Sequence, residues 1–240
     1  MKKLLFAASC IGLGACQPVG VAPVAEPVIV MDVQASRAFA GPGDFPPSGF
    51  AGYGILAFPV SPRLSPDRFT MFCQAYALTF LTSSSLAERG VPIDEQMVTV
   101  LPVSSSDVAS QSDSLNEVDA CNLALGQYDV AQAQSAIAKA EAASDRTDGV
   151  DVLDGRGPFL LAWSPGGTFG SRDALVLVAD LSNTSSKEQA ELDMRTWQRD
   201  IEQDPSIWRR GWNVEGVSLL AQRWVDRRGA AIVKLIGGWE

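Results

Sequence analysis

Ser164 has the sequence surroundings of a catalytic nucleophile, but its neighbours argue against that role. Residues 162–166, Ala-Trp-Ser-Pro-Gly, follow an apolar run, as the serine of a hydrolase nucleophile elbow does. The residue after such a serine donates its backbone N–H to the oxyanion hole, and Pro165 has no N–H to donate. The motif also requires a following helix, whereas the next apolar run has strand character. We therefore interpret Ser164 as a turn residue and predict no catalytic residue.

The chain contains no histidine, and this excludes much hydrolytic chemistry. Histidine is the base of Ser-His-Asp and Cys-His systems, the commonest zinc ligand and the usual proton shuttle near neutral pH. A glycine-rich phosphate loop and a C-x-x-C redox motif are also missing, so we expect no cofactor. Paired carboxylates can hydrolyse a glycan without histidine when burial raises the pKa of one of them. The sequence does not show such a pair.

Four aspartates that recur every three residues before Gly155 invite comparison with a calcium-binding loop. They are Asp145, Asp148, Asp151 and Asp154. An EF-hand loop instead places its ligands at alternate positions and ends in a bidentate glutamate. Because the spacing does not fit, we interpret the segment as a solvated acidic loop and predict no metal site.

The C-terminal part of the chain combines tryptophan with arginine, two side chains that often anchor binding surfaces. Trp208, Arg209, Arg210 and Trp212 form the densest group, in a short segment after Pro205. We predict that this group binds an envelope protein or, through ring stacking, a glycan. Burial of the two tryptophans in the core is the alternative.

Two other tryptophans have the spacing of core residues. Trp197 shares a helical face with Met194 and Ile201, and Trp224 shares one with Leu220. We therefore expect Trp197 and Trp224 to be buried.

Residues 1–16 have the pattern of a bacterial secretory signal. Two lysines precede an apolar run from Leu4 to Leu13, which is too short for a transmembrane helix of roughly 20 apolar residues. Residues 13–16, Leu-Gly-Ala-Cys, resemble the lipobox of bacterial lipoproteins, in which a cysteine receives a diacylglyceryl thioether and becomes the new N-terminus. The resemblance covers this segment alone and implies a signal peptide at 1–15 and lipid on Cys16. An ordinary signal peptide with an incidental cysteine is the alternative.

Gln17, the residue after Cys16, indicates which of the two membranes the lipid anchor enters. In the lipoprotein class an aspartate after the cysteine usually directs retention in the inner membrane, and this chain has glutamine there. The resemblance therefore implies lipid anchoring to the outer membrane, on its periplasmic face, rather than to the inner membrane. Several acyl chains would make attachment essentially permanent, because each buried methylene contributes about 0.8 kcal/mol.

The charge balance excludes nucleic acid as a partner. The chain has 28 acidic and 19 basic side chains, a formal charge of −9. Loss of Lys2 and Lys3 with the signal peptide would make it −11. A strongly acidic protein repels the phosphate backbone.

Composition divides the rest of the chain into a tether and a single globular domain. Residues 16–50 contain six prolines among alanine, glycine and valine, which predicts an extended tether. Within it, residues 28–33, Val-Ile-Val-Met-Asp-Val, have strand character that the flanking prolines oppose. Residues 51–240 are enough for one domain with its own core.

Cys73 and Cys121 are the cysteines left for the exported domain once Cys10 leaves with the signal peptide and Cys16 is lipidated. An oxidising compartment favours a disulfide between them. Two free buried cysteines are the alternative.

Hydrophobic periodicity predicts a mixed α/β (α+β) domain with a sheet of four to five strands. Strands are expected at 53–59, 97–101, 159–163, 174–179 and 231–236, helices at 65–82, 130–144, 185–203 and 217–226, and an exposed loop at 104–114. The strands at 159–163 and 174–179 should form a hairpin. From Met97 onward the order fits a ferredoxin-like split βαβ sheet, preceded by an N-terminal strand and helix.

These observations favour a non-catalytic, membrane-anchored periplasmic module that binds or scaffolds other components of the cell envelope. The alternative is a histidine-free envelope hydrolase that acts on a glycan through paired carboxylates. A cleft with two carboxyl groups roughly 5 to 10 Å apart would favour the enzyme.

Overall fold

A mixed sheet of seven strands organises the part of the chain that the structure describes. The computed structural model describes residues 33–45, 48–144, 153, 155–171, 176–205, 208 and 232–236. The strands are β1 Gln34–Ala40, β2 Gly52–Ala57, β3 Leu81–Thr82, β4 Gln96–Pro102, β5 Phe159–Trp163, β6 Val176–Asp180 and β7 Ile232–Ile236. Their order across the sheet is β3-β1-β4-β2-β5-β6-β7.

Strand direction divides the sheet into two parts. β3, β1, β4 and β2 run parallel, whereas β5, β6 and β7 each run antiparallel to the preceding strand in the sheet. β1 and β4 pair along their whole length, from Gln34 opposite Gln96 to Ala40 opposite Pro102. The parallel part therefore joins segments that are distant in sequence.

Helices cover both faces of the sheet. Among the described residues the α-helices are α1 Pro66–Thr79, α2 Ser83–Glu88, α3 Ser106–Ser114, α4 Glu117–Gln127, α5 Val130–Ser144 and α6 Lys187–Gln203. α1, α4 and α6 pack on one face, and α5 packs on the other. None of these described helices is long and apolar enough to cross a membrane.

The helix predicted at 65–82 is α1, and its apolar side chains face the sheet. Phe69, Phe72 and Tyr76 of α1 are buried. The Tyr76 hydroxyl accepts the N–H of Ala38 at 3.1 Å and donates to the carbonyl oxygen of Thr99 at 2.7 Å. It thereby bridges β1 and β4. Burial raises the pKa of Tyr76, so this hydroxyl stays a donor at physiological pH.

The burial predicted for Trp197, a residue of α6, is confirmed. The indole N–H of Trp197 donates to Thr99 Oγ1 at 3.1 Å. The helix begins at Lys187, two residues after the expected start at 185, because Ser186 is the N-cap and accepts the N–H of Gln189. The Gln189 side chain in turn accepts the N–H of Ser185 at 2.9 Å. Two hydrogen bonds therefore join Gln189 in the first turn to Ser185 and Ser186 just before the helix.

The alanine-rich helix predicted at 130–144 is α5, and its composition suits its position. Ala133, Ala136 and Ala140 are fully buried against the sheet. Short side chains allow the helix to approach the bulky residues Ile55 and Leu161 on that face. A helix of high intrinsic propensity thus covers the centre of the sheet.

The predicted α/β class is confirmed, and the sheet has more strands than expected. The hairpin is also confirmed, since β5 pairs antiparallel with β6. The ferredoxin-like strand order is wrong. β2 lies between β4 and β5 and pairs with both, so β4 does not contact β6 or β7 as that order requires.

The predicted tether at 16–50 is wrong in its last part, because residues 34–40 form strand β1, which lies between β3 and β4 in the sheet. This strand reads Gln-Ala-Ser-Arg-Ala-Phe-Ala and lacks the β-branched residues typical of strands. It is specified by pairing with β4 and by burial of Ala35 and Phe39. Of the other predicted strand, 28–33, only Val33 lies in the described residues, and it precedes β1.

The predicted loop at 104–114 is also wrong, because most of it is α3. Ser105 caps this helix by accepting the N–H of Val108. Asp113 then forms an ion pair with Arg37 of β1, at 3.1 Å between Oδ1 and Nη1. Capping and tertiary contacts therefore stabilise a helix whose Ser/Asp-rich composition disfavours it.

Candidate functional site

A surface cavity of about 380 Å³ lies where the chain leaves β2 and enters α1. We call it the β2–α1 groove; it is lined by Phe58, Pro59, Val60, Ser61, Pro62, Leu64, Ser65, Arg68, Gly155 and Arg156. Its volume is within the range of small-molecule sites, roughly 300 to 1,000 Å³. It also lies at the carboxyl end of a parallel strand, the usual edge for ligands in α/β sheets. The groove is therefore our candidate site.

Prolines shape the groove. Pro59 follows β2, and Pro62 begins a single 3-10 turn, Pro62–Leu64, just before α1. Because proline fixes φ and lacks an N–H, this segment neither extends the ladder of β2 nor joins α1 earlier. The turn leaves Val60 51% and Leu64 78% exposed. Two apolar side chains thus face solvent beside a concave surface.

Phe58 connects the groove to the hydrophobic core. It is only 6% exposed, and its N–H donates to the Tyr128 hydroxyl at 2.8 Å. Its ring centroid lies 4.9 Å from that of Phe69, 6.2 Å from that of Phe72 and 5.7 Å from that of Tyr128. The groove therefore has a rigid inner surface built from core residues.

Arg68 ties α1 to the loops on either side of β5 and β6. Its Nε and Nη2 donate to the carbonyl oxygen of Gly157 at 3.1 and 2.6 Å. Nη1 donates to the Thr184 carbonyl at 2.8 Å, and Nη2 also donates to the carbonyls of Leu181 and Ser182 at 2.9 and 3.1 Å. All of these acceptors are main-chain oxygens. None of these hydrogen bonds therefore pairs the guanidinium group with a carboxylate.

Two cations and one carboxylate share this end of the groove. Burial and the neighbouring Arg156 lower the pKa of Arg68, and Asp180 opposes that shift. Arg68 nevertheless keeps its charge near neutral pH, because the pKa of arginine is ordinarily above 12. Arg156 is exposed. Among the described residues the balance of these three charges is positive, on a chain with a formal charge of −9.

Glycines allow the loop before β5 to approach the end of β6. A Cβ at Gly155 would overlap the Ser182 hydroxyl and the Asp180 carboxylate. Gly157 has a φ of 64°, which side-chain-bearing residues rarely adopt, and its N–H donates to Ser182 Oγ at 2.8 Å. These positions hold Arg156 and the Gly157 carbonyl next to Arg68.

The groove did not emerge from sequence patterns, because its two arginines are far apart in the chain. The signal that could have indicated it is residues 58–66, Phe-Pro-Val-Ser-Pro-Arg-Leu-Ser-Pro. Three prolines with Val60 and Leu64 between them resist both helix and strand, which leaves these two apolar side chains at the surface.

The prediction that Trp208 is part of an exposed binding surface is wrong, because the structure buries this side chain completely. Its ring packs edge-on against Trp197, with centroids 5.9 Å apart. It also covers β2, since a Cβ at Gly52 would lie 3.0 Å from Trp208 Cε3. Trp208 is a core residue, as the alternative interpretation held.

Ser164 is placed as a structural residue. It is buried, and its hydroxyl donates to the carbonyl oxygen of Trp208 at 2.7 Å. A 3-10 turn, Gly166–Thr168, follows it instead of the α-helix of a nucleophile elbow. The geometry agrees with the interpretation of Ser164 as a turn residue.

Several residues singled out from the sequence lie outside the described residues. They are Cys16, Gln17, Asp145, Asp148, Asp151, Asp154, Arg209, Arg210, Trp212 and Trp224. Within the described ranges, no group of three or more Cys, Asp or Glu side chains is arranged to hold a metal ion.

Comparison with known proteins finds no protein family, no curated protein and no solved structure that matches the chain.

Proposed function

We propose that this chain is a lipid-anchored protein of the cell envelope whose folded domain binds a partner through the β2–α1 groove without catalysis. The observation that carries the proposal is the composition of the groove: exposed Val60 and Leu64 stand beside two guanidinium groups. A concave apolar surface with a few charged groups is typical of binding sites.

The proposed location in the cell envelope is based on the N-terminal residues. Residues 13–16 resemble a lipobox, and Gln17 favours the outer membrane over the inner one. The bonded pair Cys73 and Cys121 supports export, because disulfides persist in oxidising compartments. An envelope protein or a glycan is the partner expected from the sequence.

The proposal of a non-catalytic role rests on side-chain chemistry. The chain has no histidine, and none of the described residues that line the groove carries a carboxyl group. The glycan hydrolase would need two carboxyl groups facing each other across a cleft. No observation favours that second function, so we do not propose it.

Site-specific photocrosslinking in living cells tests the binding role. A photoreactive amino acid replaces Leu64 in the groove or, as the control, Leu192 on α6, which is 51% exposed. We expect an adduct with a protein, glycan or lipid at position 64 and little at position 192. Equal or weaker adduct formation at position 64 would overturn the proposal.

A further inference from the structure

The β2–α1 groove contains two cations, Arg68 and Arg156, that form no direct ion pair within the described residues. Arg68 Nη1 donates one of its two hydrogens, to Thr184 O at 2.8 Å, and the other has no acceptor among the described residues. Arg156 forms no ion pair within that same part of the chain. The Asp180 carboxylate, which raises the pKa of Arg68, already accepts the Ser182 N–H at 2.8 Å.

The positive charges of Arg68 and Arg156 repel each other, and a bound anion would reduce this repulsion. Arg156 lies close enough to Arg68 to lower its pKa, and a like charge nearby always disfavours the charged form. An anionic oxygen between the two guanidinium groups would interact favourably with both. Charge-assisted hydrogen bonds of this type are about twice as strong as neutral ones.

The remainder of the groove suits a single apolar chain. Phe58, Pro59, Val60, Pro62 and Leu64 supply carbon surface next to the cations. The volume of about 380 Å³ is near the lower limit for small-molecule sites. It therefore fits one short chain better than a bulky ring system.

From this juxtaposition we infer that the groove binds an anionic amphiphile, a single acyl chain that ends in a carboxylate or phosphate. The acyl chain packs along Val60 and Leu64, and the head group lies between Arg68 and Arg156. This inference rests on the proposed binding function and names the ligand class of the same groove.

Photoaffinity labelling of the full chain in lipid nanodiscs tests the inference. The probe is decanoic acid that carries a diazirine, and mass spectrometry quantifies the labelled peptides. We expect labelling to concentrate on residues 58–68. Leu64→Asp and Arg156→Glu should each reduce it about tenfold, the effect of roughly 1.4 kcal/mol. Because every sample contains the same lipid, partition of the probe into the bilayer affects all variants equally.

Matched substitutions and competitors complete the test. Leu192→Asp and Arg89→Glu change exposed residues outside the groove and should leave labelling within about twofold. Excess decanoate or decyl phosphate should remove the label, and the more effective of the two identifies the head group. Decyltrimethylammonium should not compete.

Equal competition by the cationic amphiphile, or labelling that is unchanged in Leu64→Asp and Arg156→Glu, would overturn the inference. The outcome is separable from the proposed function: crosslinking of a protein at position 64 without decanoate labelling would reject the amphiphile and retain the binding role.

Discussion

Cys73 and Cys121 are bonded, with their Cα atoms 5.7 Å apart, and the bond joins α1 to α4 on one face of the sheet. The two residues are 48 positions apart in the chain. Between them lie β3, α2, β4 and α3. The disulfide therefore closes a loop that contains strand β4 and helix α3, whose Asp113 forms the ion pair with Arg37.

Replacing the cysteines should destabilise the domain. Closing a loop of this length removes about 4 kcal/mol of conformational entropy from the unfolded chain, on the chain-entropy description. Cys73→Ala, and the double substitution with Cys121→Ala, should therefore lower the free energy of unfolding by about 2 to 5 kcal/mol, measured by urea titration. Wild-type protein under reducing conditions is the control. If both thiols alkylate freely in unreduced protein, the disulfide is refuted.

The elements with strong local patterns were predictable from the sequence. The stripe of α1, the alanine-rich α5 and the apolar runs of β5 and β6 all lie where periodicity places them. Cys73 lies on this stripe and is buried with it. These features depend on side chains close together in sequence.

Asp113 should make stability depend on pH. Burial raises its pKa to about 6, although Arg37 and the Phe39 main chain oppose the shift. Between about pH 4 and pH 6 the folded state therefore binds more protons than the unfolded state, and stability falls as pH rises. Lowering the pH from about 7 to about 5 should add about 1 kcal/mol to the free energy of unfolding.

Asp113→Asn isolates this contribution. The variant removes the titrating group while it keeps the shape of the side chain, so its stability should change less between the two pH values than that of the wild type. Chemical denaturation at each pH supplies the comparison. An identical pH dependence for both proteins would show that Asp113 does not titrate in this range.

Arg68 should stabilise the junction of α1 with the loops around β5 and β6. Arg68→Ala removes a donor from four main-chain carbonyls, of which Leu181 O keeps the Thr184 N–H, and should cost about 2 kcal/mol. Arg63→Ala is the control, since Arg63 makes a single exposed hydrogen bond, to Gly126 O at 3.2 Å, and should change stability by less than about 0.5 kcal/mol. Equal urea midpoints for the two variants would contradict this role.

What sequence patterns missed depends on long-range contacts. β1 is weakly apolar and exists because β4 pairs with it along seven positions. Trp208 is buried because Trp197 and Gly52 lie beneath it. The groove forms because Arg68 meets the loop at Gly157, which is 89 residues further along the chain. No short window of the sequence contains both members of the pairs β1 and β4, Gly52 and Trp208, or Arg68 and Gly157.

Gln17 should determine which membrane holds the protein. If the lipoprotein sorting rule applies to this chain, Gln17→Asp should move it from the outer-membrane to the inner-membrane fraction on a sucrose density gradient. Gln17→Asn should leave the distribution unchanged, because it adds no charge. An unaltered distribution for Gln17→Asp would remove the support for outer-membrane sorting.

The state of Cys16 tests the central claim, lipid anchoring, most directly. Mass spectrometry of the N-terminal peptide from membrane-extracted protein should show a chain that begins at Cys16 and carries a diacylglyceryl thioether. Cys16→Ser should lack this modification, and any processed protein should appear in the soluble periplasm. A wild-type chain without lipid on Cys16, or a Cys16→Ser variant that still requires detergent for extraction to the same extent, would contradict the account.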